Sequence, residues 1–143
     1  MTILYSKILE SIDKGYHCMI SGAAGTGKSY LIRELKEKLG GKAHVTSSTG
    51  VSALSINGKT LHSSFCLGLC NETIENTIKK TMNNPYRYSI MRYNIVIIDE
   101  ISMISDHVLD TINTICKKIR KTNKPFGGIR MIFVGDFLQL PPV

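Results

Sequence analysis

A chain of 143 residues and 15.9 kDa has room for one hydrophobic core and not for two full-sized domains. With 43% hydrophobic and 20% charged residues and a mean hydropathy of +0.02, its composition is that of a globular domain and excludes a disordered tail, a collagen and a membrane bundle. Lys and Arg number 18 against 11 Asp and Glu, a formal charge of +7, which favours polyanionic partners through long-range attraction and counterion release.

No repeat, low-complexity tract or Pro/Gly/Ser linker divides the sequence, so residues 1–143 are read as one unit. Ile3, Leu4, Ile8, Leu9 and Ile12 recur at helical spacing, and Lys14-Gly15 closes that helix. His17 to Ser21 reads as a short buried strand. Over Ser29 to Leu39, Leu31, Ile32, Leu35 and Leu39 share one helical face, with Arg33, Glu34, Lys36 and Glu37 outside and Gly40-Gly41 as the stop. His44 to Ser47 is a second strand. Residues 71–92, polar and rich in Asn, predict one short helix and an irregular return. Asn94 to Asp99 (NIVIID) is a β-branched run of the kind covered on both faces in a parallel sheet. Ile104, Val108, Ile112, Ile115 and Ile119 mark a further helix, capped at Ser105 or Asp106 and ending in Lys117, Lys118, Arg120 and Lys121. After Pro125-Phe126-Gly127-Gly128, Arg130 to Gly135 is another buried strand. Alternating strands and helices with buried parallel strands predict an α/β three-layer sandwich.

The segment Gly22-Ala23-Ala24-Gly25-Thr26-Gly27-Lys28-Ser29 satisfies GxxxxGK[ST], between a predicted strand and a predicted helix. Small residues are required because the loop wraps a β-phosphate with its own N–H groups, at an approach distance that side chains forbid. Lys28 then bridges the β- and γ-phosphates, the helix N-terminus adds positive potential, and Ser29 offers a hydroxyl to Mg²⁺. A nucleotide held this way needs a carboxylate for the metal and a base for water at the carboxyl edge of a neighbouring strand. Asp99-Glu100 stands at such an edge: Asp99 for Mg²⁺, Glu100 to orient and deprotonate water. A third strand delivers Gly135-Asp136 and Gln139 to the same edge, where a neutral amide can contact a γ-phosphate and lose that contact after hydrolysis.

GAAGTGKS at 22–29, TSSTGVSA at 46–53, GKTLHSSF at 58–65, IIDEISM at 97–103 and PFGGIRMIFVGDFLQLPPV at 125–143 resemble, in order, the motifs of the Pif family of superfamily 1B DNA helicases. The resemblance covers nearly the whole chain, and DEISM followed by GDFLQLPPV is its most specific part. It implies a RecA-like P-loop NTPase lobe that binds ATP and Mg²⁺ through Lys28, Ser29 and Asp99, with Glu100 as catalytic base and Gln139 as γ-phosphate sensor. It implies that Thr46 to Val51 and Thr60 to Ser63 face single-stranded DNA and that translocation runs 5′ to 3′. Such motors are tied to DNA repair, recombination and telomere maintenance. Hydroxyls and backbone N–H groups of Ser47, Ser48, Thr49 and Gly50 suit phosphates without reading sequence. His62 and Phe65 are candidates to contact sugar or stack a base, with Ser63 beside them; a buried pair under a loop is the other reading.

The family has a second RecA-like lobe, with ATP in the cleft and an arginine finger worth about 10³ to 10⁵ in turnover. The chain stops after Pro141-Pro142-Val143, so that lobe is read as absent, and weak or undetectable hydrolysis by these residues alone is expected. The glutamine that commonly recognises adenine near the family's N-terminus is also missing.

Other readings stay open at this stage. A different P-loop ATPase, such as a loader or a terminase-like motor, would share Lys28 and Asp99, and a module that binds nucleotide or DNA without turnover would need no base. His62, Cys66 and Cys70, four residues apart, suit one helical face but lack the pairing of a zinc site, so ordinary packing is expected. The four cysteines are expected reduced. Charged residues interrupt the early apolar stretch, and the longest apolar runs are strand length, so an intracellular, soluble protein with no membrane contact is expected.

Overall fold

A computed structural model describes residues 2–22 and 27–136. The chain opens with helix α1 (Thr2–Asp13), strand β1 (Cys18–Ser21), helix α2 (Lys28–Leu39), strand β2 (Ala43–Ser47) and helix α3 (Gly50–Ser55). A two-residue strand β3 (Lys59–Thr60) leads into helix α4 (Leu61–Ser64), followed by α5 (Ile74–Met82) and α6 (Ser89–Arg92). Strand β4 (Ile95–Asp99), helix α7 (Asp106–Ile119) and strand β5 (Arg130–Gly135) complete the described fold. Short 3₁₀ turns lie at Gly40–Lys42, Pro85–Tyr88, Ile101–Met103 and Pro125–Gly128.

The strands form one sheet in the order β1-β5-β4-β2-β3, and every neighbouring pair is parallel. In β4 the alternation of a pleated strand sends Ile95 and Ile97 to one face and Val96 and Ile98 to the other. The first face packs with Ile8 of α1, Leu31, Ile32 and Leu35 of α2, Val45, Ile132 and Val134. The second packs with Leu61, Phe65, Ile78, Ile90, Ile112, Ile115 and Met131. Helices on both faces are what lets the central strands be apolar throughout, and full burial of each such side chain stabilises the fold by about 1.5–3 kcal/mol. This is the three-layer α/β sandwich expected from the alternation of elements.

The predicted helix starts and stops are local chemistry and recur in the structure. Ser105 Oγ accepts from Val108 N at 3.3 Å and caps α7. α1 ends at Asp13, before Gly15, and α2 ends against Gly40.

Two sequence expectations change, and one stretch holds elements that the sequence did not announce. The strand carrying Asp99 is not beside the strand that precedes the phosphate loop; β5 lies between them, because crossover connections leave strand order unconstrained by sequence order. Residues 50–64 hold two short helices and a short strand that no long apolar period announces. Their starts are set by hydroxyl caps, Thr49 on Ser52 N and Thr60 on Ser63 N, each at 3.2 Å. His62, Cys66 and Cys70 do not share a helix: α4 ends at Ser64, and Cys66 and Cys70 take positive φ angles of 56° and 54°. All four cysteines are free thiols. Among the described residues no group of three or more His, Cys, Asp or Glu can hold a metal ion, and no helix is long and apolar enough to cross a membrane.

Candidate nucleotide and strand site

Because all strands run the same way, Ser21, Ser47, Thr60, Asp99 and Gly135 end at one edge of the sheet, and the site is assembled there. Gly22 N donates to Gly135 O at 3.2 Å, which ties the start of the phosphate loop to the end of β5. At the loop's far end Gly27 takes φ 88°, a left-handed conformation glycine adopts without steric cost, and the chain turns directly into α2. Lys28 Nζ donates to the carbonyl of Gly22, bringing the side chain back toward the end of β1. Ser29 is exposed in the first turn of the same helix. Ala23, Ala24, Gly25, Thr26 and Gln139 lie outside the described residues.

Asp99 and Glu100 stand across β5 from this loop. Asp99 shares the face of Ile95 and Ile97, the face covered by α2. Burial pushes its carboxyl above the ordinary carboxylate range and the charge of Glu100 adds to this, while the N–H of Glu100 and the ammonium of Lys28 pull the other way. Lys28 and Asp99 are therefore close enough to feel one another's charge.

Glu100 has φ 56° and ψ 44°. A non-glycine residue in the left-handed region costs on the order of 1–3 kcal/mol and persists only where its surroundings impose it. Here Asp99 Oδ1 accepts from Glu100 N at 2.8 Å, and Glu100 O accepts from Met103 N at 3.0 Å. The turn at Ile101–Met103 in turn rests on Gly135, where an added Cβ would lie 2.9 Å from Ile101 Cγ2 and 3.2 Å from Ile101 N. Asp136 follows, buried at the end of β5. The Glu100 carboxylate accepts from Ser48 Oγ at 2.8 Å, a contact that no spacing in the sequence announces.

The segments expected to face DNA meet at the same edge, since Ser47 pairs in register with both Asp99 and Thr60. Thr49, Gly50 and Ser63 are exposed, and Ser48 is half-buried. His62 is half-buried, with its pKa lowered by burial. Together with Lys59, Ser63, Tyr86 and Tyr93 it lines a cavity of about 420 Å³.

Two expectations are corrected. Phe65 is fully buried and packs edge-on against Tyr93 with ring centroids 5.6 Å apart, so it is a core residue and not a base-stacking one; as an apolar ring following α4 it gains more from the sheet than from solvent. The Ser47 side chain is also fully buried, on the Asp99 side of the sheet, which withdraws it from any strand on the surface. Among the described residues its Oγ has no hydrogen-bond partner, nor has the buried Oγ of Ser102 just beyond Glu100. Both lie close to the acidic pair in sequence or register.

A family model described as PIF1-like helicase matches residues 2–143. The ATP-dependent DNA helicase PIF1 of Candida albicans is 43% identical over 141 residues, a match covering 95% of this chain and 16% of that protein. The crystal structure of Pif1 helicase from Candida albicans is similar with a TM-score of 0.86 at 42% identity, over 97% of this chain and 33% of the solved chain. That of Pif1 helicase from Bacteroides in complex with ADP-AlF3 and ssDNA gives a TM-score of 0.78 at 32% identity, over 97% and 33%. The chain thus spans about a sixth of the fungal helicase and a third of each solved chain.

Proposed function

The chain belongs to the PIF1-like helicases, and from that premise we propose that residues 1–143 form the ATP-binding, RecA-like lobe of an ATP-dependent DNA helicase that moves 5′ to 3′ on single-stranded DNA. The observation that carries this is the convergence at one sheet edge of Lys28, Asp99 and a Glu100 held in a strained backbone. A structural acid pair gains nothing from a left-handed glutamate; a base that must face a bound phosphate does.

In this reading the triphosphate lies on the backbone N–H groups of residues 22–29, with Lys28 exchanging its contact to the Gly22 carbonyl for the β- and γ-phosphate oxygens. The residues fit Mg²⁺: Ser29 and Asp99 supply hard oxygen donors, as suits an ion that uses one or two carboxylates together with substrate phosphates. When bound, that ion neutralises charge developing on the phosphates. Glu100 orients and deprotonates the attacking water. Gln139 senses the γ-phosphate, and Gly135-Asp136 deliver the chain to it. Ser48, Thr49, Gly50, His62 and Ser63 hold strand phosphates and sugars without reading bases. The partner that completes the motor is a second RecA-like lobe bearing an arginine finger, and the processes served are those of DNA repair, recombination or telomere maintenance.

The test is ATP hydrolysis with and without single-stranded DNA, by this lobe alone and with a second lobe supplied. Weak hydrolysis alone and strand-stimulated hydrolysis with the second lobe are expected. Lys28→Ala loses nucleotide binding, whereas Glu100→Gln binds ATP and fails to turn it over. Wild-type turnover by Glu100→Gln would remove the base from the mechanism.

A further inference from the structure

Ser48 belongs to the turn assigned above to the DNA strand, yet its hydroxyl proton is spent on the catalytic glutamate. Ser48 Oγ donates to Glu100 Oε2 at 2.8 Å, between residues 52 apart in sequence. The placement follows from register: Ser47 on β2 pairs with Asp99 on β4, so Ser48 and Glu100 are the first residues beyond a paired position and leave the sheet side by side. Ser48 runs directly into Thr49, which caps α3.

The backbone of Glu100 has little freedom. Its N–H is held by Asp99 Oδ1 and its carbonyl by Met103 N, and a left-handed φ of 56° leaves no broad basin around it. The carboxylate moves only through its side-chain torsions, and Ser48 holds it by a side-chain hydrogen bond. A serine hydroxyl carries one proton. That proton is donated either to the Glu100 carboxylate or to a phosphate oxygen of a strand lying on the turn, and not to both. A carboxylate that accepts such a bond is also a weaker base, because the bond stabilises the ionised form and occupies a lone pair that would receive water's proton.

We infer that Ser48 is a positioning residue that holds the Glu100 carboxylate away from water until single-stranded DNA takes the serine hydroxyl, so that strand engagement and ATP hydrolysis compete for one hydrogen bond. The inference rests on the reading in which Glu100 is the base and the Ser48–Gly50 turn faces the strand. Coupling of this kind is reciprocal in its binding terms: a nucleotide state that draws Glu100 toward water frees the Ser48 hydroxyl and tightens the grip on the strand.

The experiment uses the full-length gene product and a homopolymeric single-stranded oligonucleotide. Ser48→Ala raises kcat for ATP in the absence of DNA by about tenfold, the scale of one hydrogen bond to a charged group, with KM for ATP unmoved. The ratio of stimulated to unstimulated rates shrinks by the same factor. Ser48→Thr keeps the hydroxyl and returns the unstimulated rate toward wild type. A general loosening of the site would move KM as well and would not be rescued by threonine. With nucleotide affinity retained, an unstimulated Ser48→Ala rate equal to or below wild type overturns the inference. If Glu100→Gln is inactive in that same comparison, the inference fails alone; if Glu100→Gln turns over normally, the assignment of the base fails with it.

Discussion

His44 should carry a measurable share of this domain's acid sensitivity. His44 sits on β2 with its ring stacked on Tyr93, centroids 4.4 Å apart at 14°, and its Nε2 is 2.9 Å from Ser64 Oγ. Ser64 spends its own proton on Thr60 O at 2.9 Å, so His44 must donate from Nε2. Burial, then the charges of Lys59 and Lys36, lower its pKa from 6.5 to about 4. The folded value lies below the unfolded one, so the unfolded chain binds more protons between pH 6.5 and 4. The stabilisation is therefore complete above pH 6.5 and is lost as the pH falls toward 4. The whole drop corresponds to about 3 kcal/mol, of which about 2 is lost between pH 7 and pH 5, and partial exposure of the ring discounts that to about 1 kcal/mol. For a domain of this size, 1 kcal/mol is about 2–4 °C in Tm. Thermal melts at pH 7 and pH 5 of wild type and His44→Gln give the comparison. His17 and His62, also lowered by burial, are common to both proteins and cancel in the difference. Wild type should lose about 1 kcal/mol more than the variant; equal losses would show that His44 is not held neutral by its surroundings.

Gly135→Ala pushes a Cβ to within 2.9 Å of Ile101 Cγ2, so it should cost about 1–3 kcal/mol in denaturant unfolding, and it should depress ATP turnover more than nucleotide affinity by displacing the turn behind Glu100. Phe65→Ala should cost about 3–5 kcal/mol as a cavity in the core, and binding of single-stranded DNA by the protein that remains folded should be unchanged, where a base-stacking residue would lose affinity. Asp99→Asn should raise Tm at neutral pH: the folded-state pKa is raised by burial, so the carboxylate is a burden above that pKa, and the gain should vanish below pH 3.8, where both states of the wild-type group are protonated.

What the sequence shows of this fold is whatever a local period or a capping residue can carry. β4 reads as a buried strand because Ile95 to Ile98 meet apolar layers on both sides, and α7 reads as a helix because one stripe, Val108 to Ile119, faces the sheet. α3 and α4 escape notice because six and four residues are too few to show a helical period; the threonine caps at Thr49 and Thr60 were the available signal. Phe65 was misassigned for a related reason. A phenylalanine beside a polar turn has the same composition whether it points at solvent or at the sheet, and the packing against Tyr93, 28 positions on, decides it. The chemistry of the site was better marked. GxxxxGKS and the acidic pair after an apolar strand depend on residue types that few purely structural turns require, so the meeting of Lys28, Asp99 and Glu100 at one sheet edge could be read from the sequence. The Ser48–Glu100 contact could not, because it depends on the register of β2 against β4.

In the proposed function, the sheet order is what lets the acidic pair serve the loop. With β5 between β1 and β4, the strand end at Gly135 lies between the other two, and it carries no side chain. Gly22 N therefore reaches Gly135 O from one side, and the Ile101–Met103 turn closes on Gly135 from the other. A bulkier residue there would separate the two halves of the site by about the width of its Cβ contact, and Glu100, already confined to one left-handed conformation, has no backbone freedom with which to make up the difference. The geometry of the proposed base is thus set by close backbone packing across three strand ends, and changes at Gly135 should act on turnover even though that residue contributes no functional group.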